Sequence, residues 1–500
     1  MEGVAELDEL FVSREQREEY KKQILQEFKS VINFYRLESS GDLLELFHTL
    51  GYLLIGGMID GRNIWDLLRS GRSAYLPADE WIKEGRRFSR EDYELWQQIL
   101  EENEILRRTV QEIGCYEVPG GMPDSVWRQI FLVLRNLLEK YQEISDPDFL
   151  YEVIREMFDL CVNAKSELSR YALPDPIVFQ MAKLIRNEQA DNITEKNGRV
   201  LDPQYGSGSM LLAAGIYLDE VCLCGYEQNE RLRMAAKILS VLARRPIEMY
   251  EGDFLQDREL GTFEVVFANP PFDNEKVPEY VRDWFLPSEL GRVSGRHNLF
   301  LVRSLQALAE NGHAVIVVPD SFLFSSKIET MQVRKWMLQQ YCVEGVISLP
   351  PKTFYPNTMT RASILIISKP FMRVGWINGG TPFLFFYQLN VDADSEQMDQ
   401  ELSGIWNQRE YYFEQWKQQT FYRNLANIPM PEEWEHSELW FADPETVEQE
   451  RWNMQPKHYQ PTERAEFQAE NPQILLQKLM QEQEELLGEM QRLAGEVGRL

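Results

Sequence analysis

The sequence predicts an α/β fold with an all-helical domain before it and a long terminal helix after it. Three observations carry this. Apolar residues recur at helical spacing through the first third of the chain, short apolar runs alternate with amphipathic segments from about residue 199 to 368, and leucines fall seven apart at the end. The 500 residues, 44% apolar and 26% charged, are enough for several domains and a sizeable core. Four segments are expected: 1–165 helical, 166–390 α/β, 391–471 a mixed extension of helices and loops, and 472–500 a coiled-coil helix.

In the first segment Ile24, Phe28, Ile32 and Tyr35 form one stripe, and Leu43, Leu46, Leu50, Leu53 and Leu54 a second. Ser89-Arg90-Glu91-Asp92 resembles a capping box opening one helix from Tyr93 to Ile113. Pro119 to Pro123 breaks the chain before a helix from Trp127 to Tyr141, and Asp146-Pro147-Asp148 starts the next. The acidic residues here read as a solvated face.

After Tyr171-Ala172-Leu173-Pro174 the period changes. Strand Arg199 to Asp202 leads through Pro203-Gln204-Tyr205-Gly206-Ser207-Gly208-Ser209 into helix Met210 to Leu218. An acid at a strand end, then glycines, then a helix lets a nucleotide-like ligand approach the backbone. Strand Val221 to Tyr226 ends at Glu227, placed where a carboxylate can accept ribose hydroxyls. Asp253 follows the next strand, and Asn269 follows the run Phe263 to Phe267. One polar residue after each of four consecutive strands is a more specific signal than any single one.

The stretch Asn269-Pro270-Pro271-Phe272 holds an amide and an aromatic ring on backbone stiffened by two prolines. Alone, it reads equally as a strand end with a proline turn or as a seat for a flat, amine-bearing molecule. The loop 273–287 and the stretch Ser294 to Asn298 are placed to border a substrate cleft. Beyond them come helix Leu299 to Glu310, strand His313 to Val318, helix Lys327 to Gln340, strand Val343 to Leu349 and strand Ala362 to Ser368.

In the tail, Leu479, Leu486, Leu493 and Leu500 keep a heptad, with Leu476, Met490 and Val497 at complementary positions and Gln483 the polar exception. Gly488, Gly495 and Gly498 lower its helicity, so it needs a partner surface, either its own domain or another subunit.

A net charge of -28 argues against autonomous tight nucleic-acid binding, because phosphate affinity comes from Lys and Arg. Cys115, Cys161, Cys222, Cys224 and Cys342 lack metal-site spacing, and Cys222-Leu223-Cys224 reads as part of a buried strand; no metal is expected. His48, His297, His313, His436 and His458 form no paired motif. Neither an apolar leader after Met1 nor a run of about 18 apolar residues occurs, so a cytoplasmic protein without a membrane span is expected.

With these motifs in this order, the chain resembles the gamma-type adenine-N6 DNA methyltransferases, and most closely the modification (methyltransferase) subunit of type I restriction-modification systems. The resemblance implies a Rossmann-like, S-adenosylmethionine-dependent domain between a helical N-terminal domain and a C-terminal coiled-coil helix. It assigns Asp202, Gly206, Ser207 and Gly208 to the methionine part of the cofactor, Glu227 to its ribose and Asp253 to its adenine amine. Tyr171 and Pro174 resemble the upstream motif that closes over it. Asn269, Pro270, Pro271 and Phe272 would be catalytic, holding a flipped-out adenine. Implied partners are double-stranded DNA, a specificity subunit gripped by the terminal helix, a second copy of the chain and a restriction (helicase-nuclease) subunit. Trp452 to Tyr459 resembles the segment that precedes the tail in such subunits.

The chain departs from the family at Leu173, where Thr is usual, and at Gln204 and Tyr205, where a small residue and Cys are usual. Two other readings stand beside this one: a protein glutamine methyltransferase, whose motif typically ends in Tyr instead of Phe272, and a non-catalytic S-adenosylmethionine-binding scaffold in a defence complex.

Overall fold

A computed structural model of the chain describes residues 13–39, 41–60, 90–114, 122–144, 146–162, 173, 175–185, 198–218, 220–259, 261–273, 275–354, 359–369, 383–389, 402, 404–416 and 438–460. The terminal heptads, Tyr171 and Pro174 lie outside the described residues. No described helix is long and apolar enough to cross a membrane.

Six helices form the N-terminal part: α1 (Arg14–Glu38), α2 (Leu43–Asp60), α3 (Arg90–Glu102), α4 (Glu104–Gly114), α5 (Asp124–Ile144) and α6 (Pro147–Val162). Their starts follow side-chain chemistry. Ser13 Oγ accepts from the Gln16 amide at 3.2 Å, Asp42 Oδ1 from Leu44 at 2.8 Å, and Asp146 Oδ1 from Asp148 at 2.9 Å, each satisfying a donor the helix leaves open. The stripes on α1 and α2 are both buried. The single helix expected from Tyr93 to Ile113 is broken at Asn103, whose side-chain oxygen accepts from the Leu106 amide at 3.1 Å and starts α4 as a new helix.

The remaining elements build one nine-stranded mixed sheet in the order β3-β2-β1-β4-β5-β7-β6-β8-β9. The strands are β1 (Arg199–Asp202), β2 (Cys222–Glu227), β3 (Ile247–Glu251), β4 (Phe263–Ala268), β5 (Leu308–Pro319), β6 (Cys342–Ser348), β7 (Ala362–Ser368), β8 (Leu384–Gln388) and β9 (Leu439–Ala442). β1 to β5 run parallel, whereas β7 is antiparallel to both of its neighbours, β5 and β6. Helices α7 (Asp175–Lys183), α8 (Ser209–Tyr217) and α9 (Glu230–Leu242) precede, separate and follow the first two strands; α10 (Arg296–Gln306) and α11 (Ile328–Gln340) come later.

Alternation along the strands splits the core into two layers. Val200, Leu223, Val265 and Val315 join the side that packs with the N-terminal helices, and Leu201, Cys224, Val266 and Ile316 join the side covered by α10 and α11. The helical part is continuous with the first layer through α9. His48 donates Nε2–H to the Arg231 carbonyl at 2.9 Å, Arg231 pairs with Asp42 at 2.6 Å, and Lys237 with Glu112 at 2.7 Å. Between β3 and β4 the described chain makes only the short turn Phe254–Gln256, whereas helices join β1 to β2 and β2 to β3.

The chain after residue 391 also reaches this sheet, because β9 pairs with β8 along Leu439 to Ala442. A buried cation fastens the stretch after β9. Arg334, on α11 and 2% exposed, donates to the carbonyls of Trp452 (2.6 Å), Phe322 (2.6 Å) and Ser325 (2.9 Å). Tyr459 stacks on Phe386 with ring centroids 5.2 Å apart.

Candidate active site

The strand register brings the predicted polar residues to one edge. Asp202 is level with Gly225 on β2, which is level with Met249 on β3, and Leu201 on β1 is level with Val266 on β4. Glu227 therefore lies two residues beyond that level as the last residue of β2, and Asp253 four and Asn269 two, just past the C-terminal ends of β3 and β4. Ligands of α/β folds gather at such an edge because the helix and loop connections open there.

Asp202 is 6% exposed and accepts from the Gln204 amide at 3.0 Å. Burial pushes its carboxyl up to about 7, and the charge of Glu227 pushes the same way. Glu227 spans the loop, accepting from the Gly206 amide at 3.1 Å and the Asn229 amide at 2.7 Å; burial raises it, opposed by those amides. Gly206 and Gly208 have φ of +56° and +82°, a conformation that favours glycine, and a Cβ on Gly206 would meet nothing within 4 Å. Ser207 and Ser209 hydroxyls lie 2.8 Å apart. Asp253 caps the short turn after β3, accepting from the Leu255 amide at 3.0 Å, with Arg296 at 3.9 Å.

Beside these acids is a pocket of about 370 Å³, lined by Gln204, Tyr226, Glu227, Asn229, Phe254 and Arg296 among others. Asp202 and Asp253 flank it through their neighbours Pro203 and Gly252. The donor set fits S-adenosylmethionine: a buried acid whose charged neighbour is another acid is short of a cation, and the open cradle at Gly206 leaves backbone room for an aminoacyl group.

The departure at Tyr205 has a structural explanation. Its ring is buried against Gly225, where a Cβ would come within 2.5 Å of the ring and 2.9 Å of the Asp202 carbonyl oxygen. A bulky residue in the loop is accommodated by a bare backbone opposite. Its hydroxyl is buried without a hydrogen-bond partner among the described residues, and burial raises its pKa.

At the Asn-Pro-Pro-Phe turn, Pro270 is buried and Asn269, Pro271 and Phe272 are half-buried. Phe272 makes edge contacts with Phe354 (centroids 5.6 Å apart) and His297 (6.0 Å). His297 itself was invisible as a site residue in the sequence beyond its place in the stretch Ser294 to Asn298. Its Nδ1 lies 3.2 Å from the Pro271 carbonyl oxygen, which only accepts, so the proton sits on Nδ1. Nε2 is buried without a partner among the described residues, and burial holds the ring neutral by lowering its pKa to about 4. Arg296 was likewise missed; it faces the pocket from the start of α10.

Comparison with known proteins identifies the family. The family model described as N-6 DNA Methylase matches residues 148–468, well over half of the chain. The type I restriction enzyme MjaVII methylase subunit of Methanocaldococcus jannaschii is 26% identical over 257 residues, covering 47% of this chain and 43% of that one. The EcoEI methylase subunit of Escherichia coli is 27% identical over 106 residues, 21% of each chain. The chain thus aligns with less than half the length of these curated relatives. The same fold occurs in the type I restriction-modification methyltransferase subunit from Streptococcus thermophilus (TM-score 0.57, 16% identity, 88% of this chain and 100% of that one). It occurs also in a chain from a study of complex assembly in a type I R-M system (TM-score 0.58, 15% identity, 95% and 98%). With the family model spanning the strands, the glycine turn and the Asn-Pro-Pro-Phe stretch, the chain belongs to the N-6 DNA methylase family, whose cofactor is S-adenosylmethionine.

Proposed function

We propose that this chain is the modification subunit of a type I restriction-modification system, transferring a methyl group to the N6 amine of a flipped-out adenine in double-stranded DNA. The observation that carries the reading is the convergence of Asp202, Glu227, Asp253 and Asn269 at one sheet edge, beside a pocket that Glu227 lines.

S-adenosylmethionine supplies an electrophilic methyl on a cationic sulfur. In this reading Asp202 faces the cationic part of the cofactor, with Gly206, Ser207 and Gly208 giving it backbone room. Glu227 exchanges its loop amides for the ribose hydroxyls, and Asp253 accepts from the adenine amine. Tyr171 and Pro174 close over the same ligand. The target amine is a weak nucleophile because its lone pair is delocalised into the ring, and the duplex hides it until the base is extruded. Asn269 Oδ1 and the Pro270 carbonyl accept hydrogen bonds from its two N–H groups, which would turn the lone pair toward the methyl, and the methylated amine would then lose one proton to solvent. Phe272 stacks on the base. His297 fixes the turn by donating to the Pro271 carbonyl and bracing the Phe272 ring. Catalysis is then mostly positioning and electrostatics.

A net charge of -28 supports delegating base reading to a specificity subunit held by the tail 472–500, in a cytoplasmic assembly with a second copy of the chain and a restriction subunit. The test is transfer of labelled methyl groups to plasmid DNA with and without the protein encoded beside this one. Adenine labelling is expected with both, and Asn269→Ala should lower it about 10²–10³-fold while cofactor binding persists. Labelling of protein glutamine instead, or of nothing with cofactor still bound, would overturn the reading.

A further inference from the structure

Period-2 alternation puts Cys222 and Cys224 on the same face of β2, and the parallel register sets Glu248 of β3 directly beside Cys224. Their sulfurs are 3.6 Å apart, and Oε2 of Glu248 lies 3.8 Å from each. Three ligand atoms from two rigid strands thus converge on one point.

These separations decide what the cluster fits. With metal–sulfur and metal–oxygen bonds of about 2.3 and 2.0 Å, tetrahedral angles put two thiolates about 3.8 Å apart and a thiolate about 3.5 Å from a carboxylate oxygen. The observed triangle matches within a few tenths of an ångström. Two free sulfurs in contact are also well beyond the roughly 2.05 Å of a disulfide, and both cysteines are free.

Charge and access agree. Arg199 donates from Nη2 toward Cys224 Sγ (3.9 Å) and to the Tyr250 hydroxyl (3.1 Å), and is held there over the Phe263 ring at 4.4 Å. Two thiolates and a carboxylate around a divalent ion carry one excess negative charge, which a guanidinium at that distance neutralises; such outer partners are how thiolate sites are tuned. Cys224 is fully buried, whereas Cys222 and Glu248 are half-buried and give an ion its route in.

We infer that Cys222, Cys224 and Glu248 form a three-ligand site for a divalent cation of the zinc class, with water in the fourth position and Arg199 as its charge-balancing neighbour. It lies at the opposite end of β2 from Glu227 and is independent of methyl transfer. Its role is to tie β2 to β3, the strand at the edge of the sheet.

The test uses the full chain, reduced and purified without chelator. Metal analysis should find about one zinc per chain, and cobalt titration of the stripped protein should give a thiolate-to-cobalt charge-transfer band in the near ultraviolet. Cys222→Ser and Cys224→Ser should each lose most of that band, Glu248→Gln should bind more weakly while keeping both thiols, and Arg199→Gln should weaken binding by about 10–100-fold. Circular dichroism of each variant separates loss of metal from loss of fold. The inference falls if the reduced wild type shows no thiolate–cobalt band at millimolar cobalt. It falls equally if the band survives both serine variants, or if folded Glu248→Gln binds as the wild type does.

Discussion

Replacing Asp202 by Asn should make the cofactor-free protein more stable and the enzyme worse. The substitution keeps the shape and the oxygen that accepts the Gln204 amide at 3.0 Å, but removes the ionisation. Burial raises this carboxyl from 3.8 to about 7, so the folded state holds its proton more tightly than the unfolded chain does. The cost of burial is therefore small near pH 4, grows as pH rises toward 7 and is constant above. At about 1.4 kcal/mol per pH unit, the wild type carries about 4 kcal/mol of this penalty at pH 8 and about 2 at pH 5. Urea denaturation of Asp202→Asn should accordingly show a gain at pH 8 roughly twice that at pH 5. Calorimetric titration should show cofactor affinity lower by about 10–100-fold, the worth of one charge-assisted hydrogen bond. In the wild type, affinity should fall below pH 7, because the carboxyl must lose its proton to face a cation. An equal or absent stability gain at the two pH values would refute the assignment of a buried, proton-retaining acid.

Other perturbations test the surroundings. His297→Phe keeps the ring but removes the donation to Pro271; it should lower kcat more than cofactor affinity, with His297→Asn restoring part of the rate, and stopped-flow methyl transfer would separate the two. Because the ring pKa is lowered from 6.5 to about 4, it stabilises the fold fully above pH 6.5 and less as pH falls toward 4; relative to the Phe variant the wild type should lose up to about 3 kcal/mol over that interval, read by denaturant midpoints. Gly225→Ala, which drives a Cβ to 2.5 Å from the Tyr205 ring, should cost about 1–3 kcal/mol and lower the melting temperature.

The sequence was most legible where one strand decides the matter. Each apolar run ending in Asp202, Glu227 or Asn269 announces both a buried strand and the polar residue beyond it, and all of these runs form strands. Legibility failed where the deciding partner is distant. His297 gains its meaning from Pro271, and Cys222 and Cys224 from Glu248, through a register that no local pattern encodes. Tyr205 was readable as a departure, but the bare backbone at Gly225 that admits it was not. Local signals also misled. Helical periodicity runs unbroken through Asn103, where a side-chain cap restarts the helix, and β5 begins at Leu308 instead of His313 because Phe263 pairs there ahead of a register shift. β9 is only four residues long and needs β8 beside it to be a strand.

The guanidinium of Arg334 has a mechanical consequence. Burial lowers its pKa to about 10, and it donates to three neutral carbonyls, so its grip on the Trp452 backbone does not depend on any acid and is insensitive to salt. Helix α11, the end of the short helix Asp320–Phe324 with its cap Ser325, and the stretch around Trp452 are thereby fastened as one cooperative unit. In hydrogen exchange these three stretches should open together, with matching protection, and Arg334→Met should release the last of them first. A pull applied to the chain beyond residue 460 would first load Tyr459 and Pro456, held to β8 by the Phe386 ring and to β9 by the Trp440 indole at 2.8 Å, and would reach the Arg334 anchor on α11 only after straining that edge of the sheet.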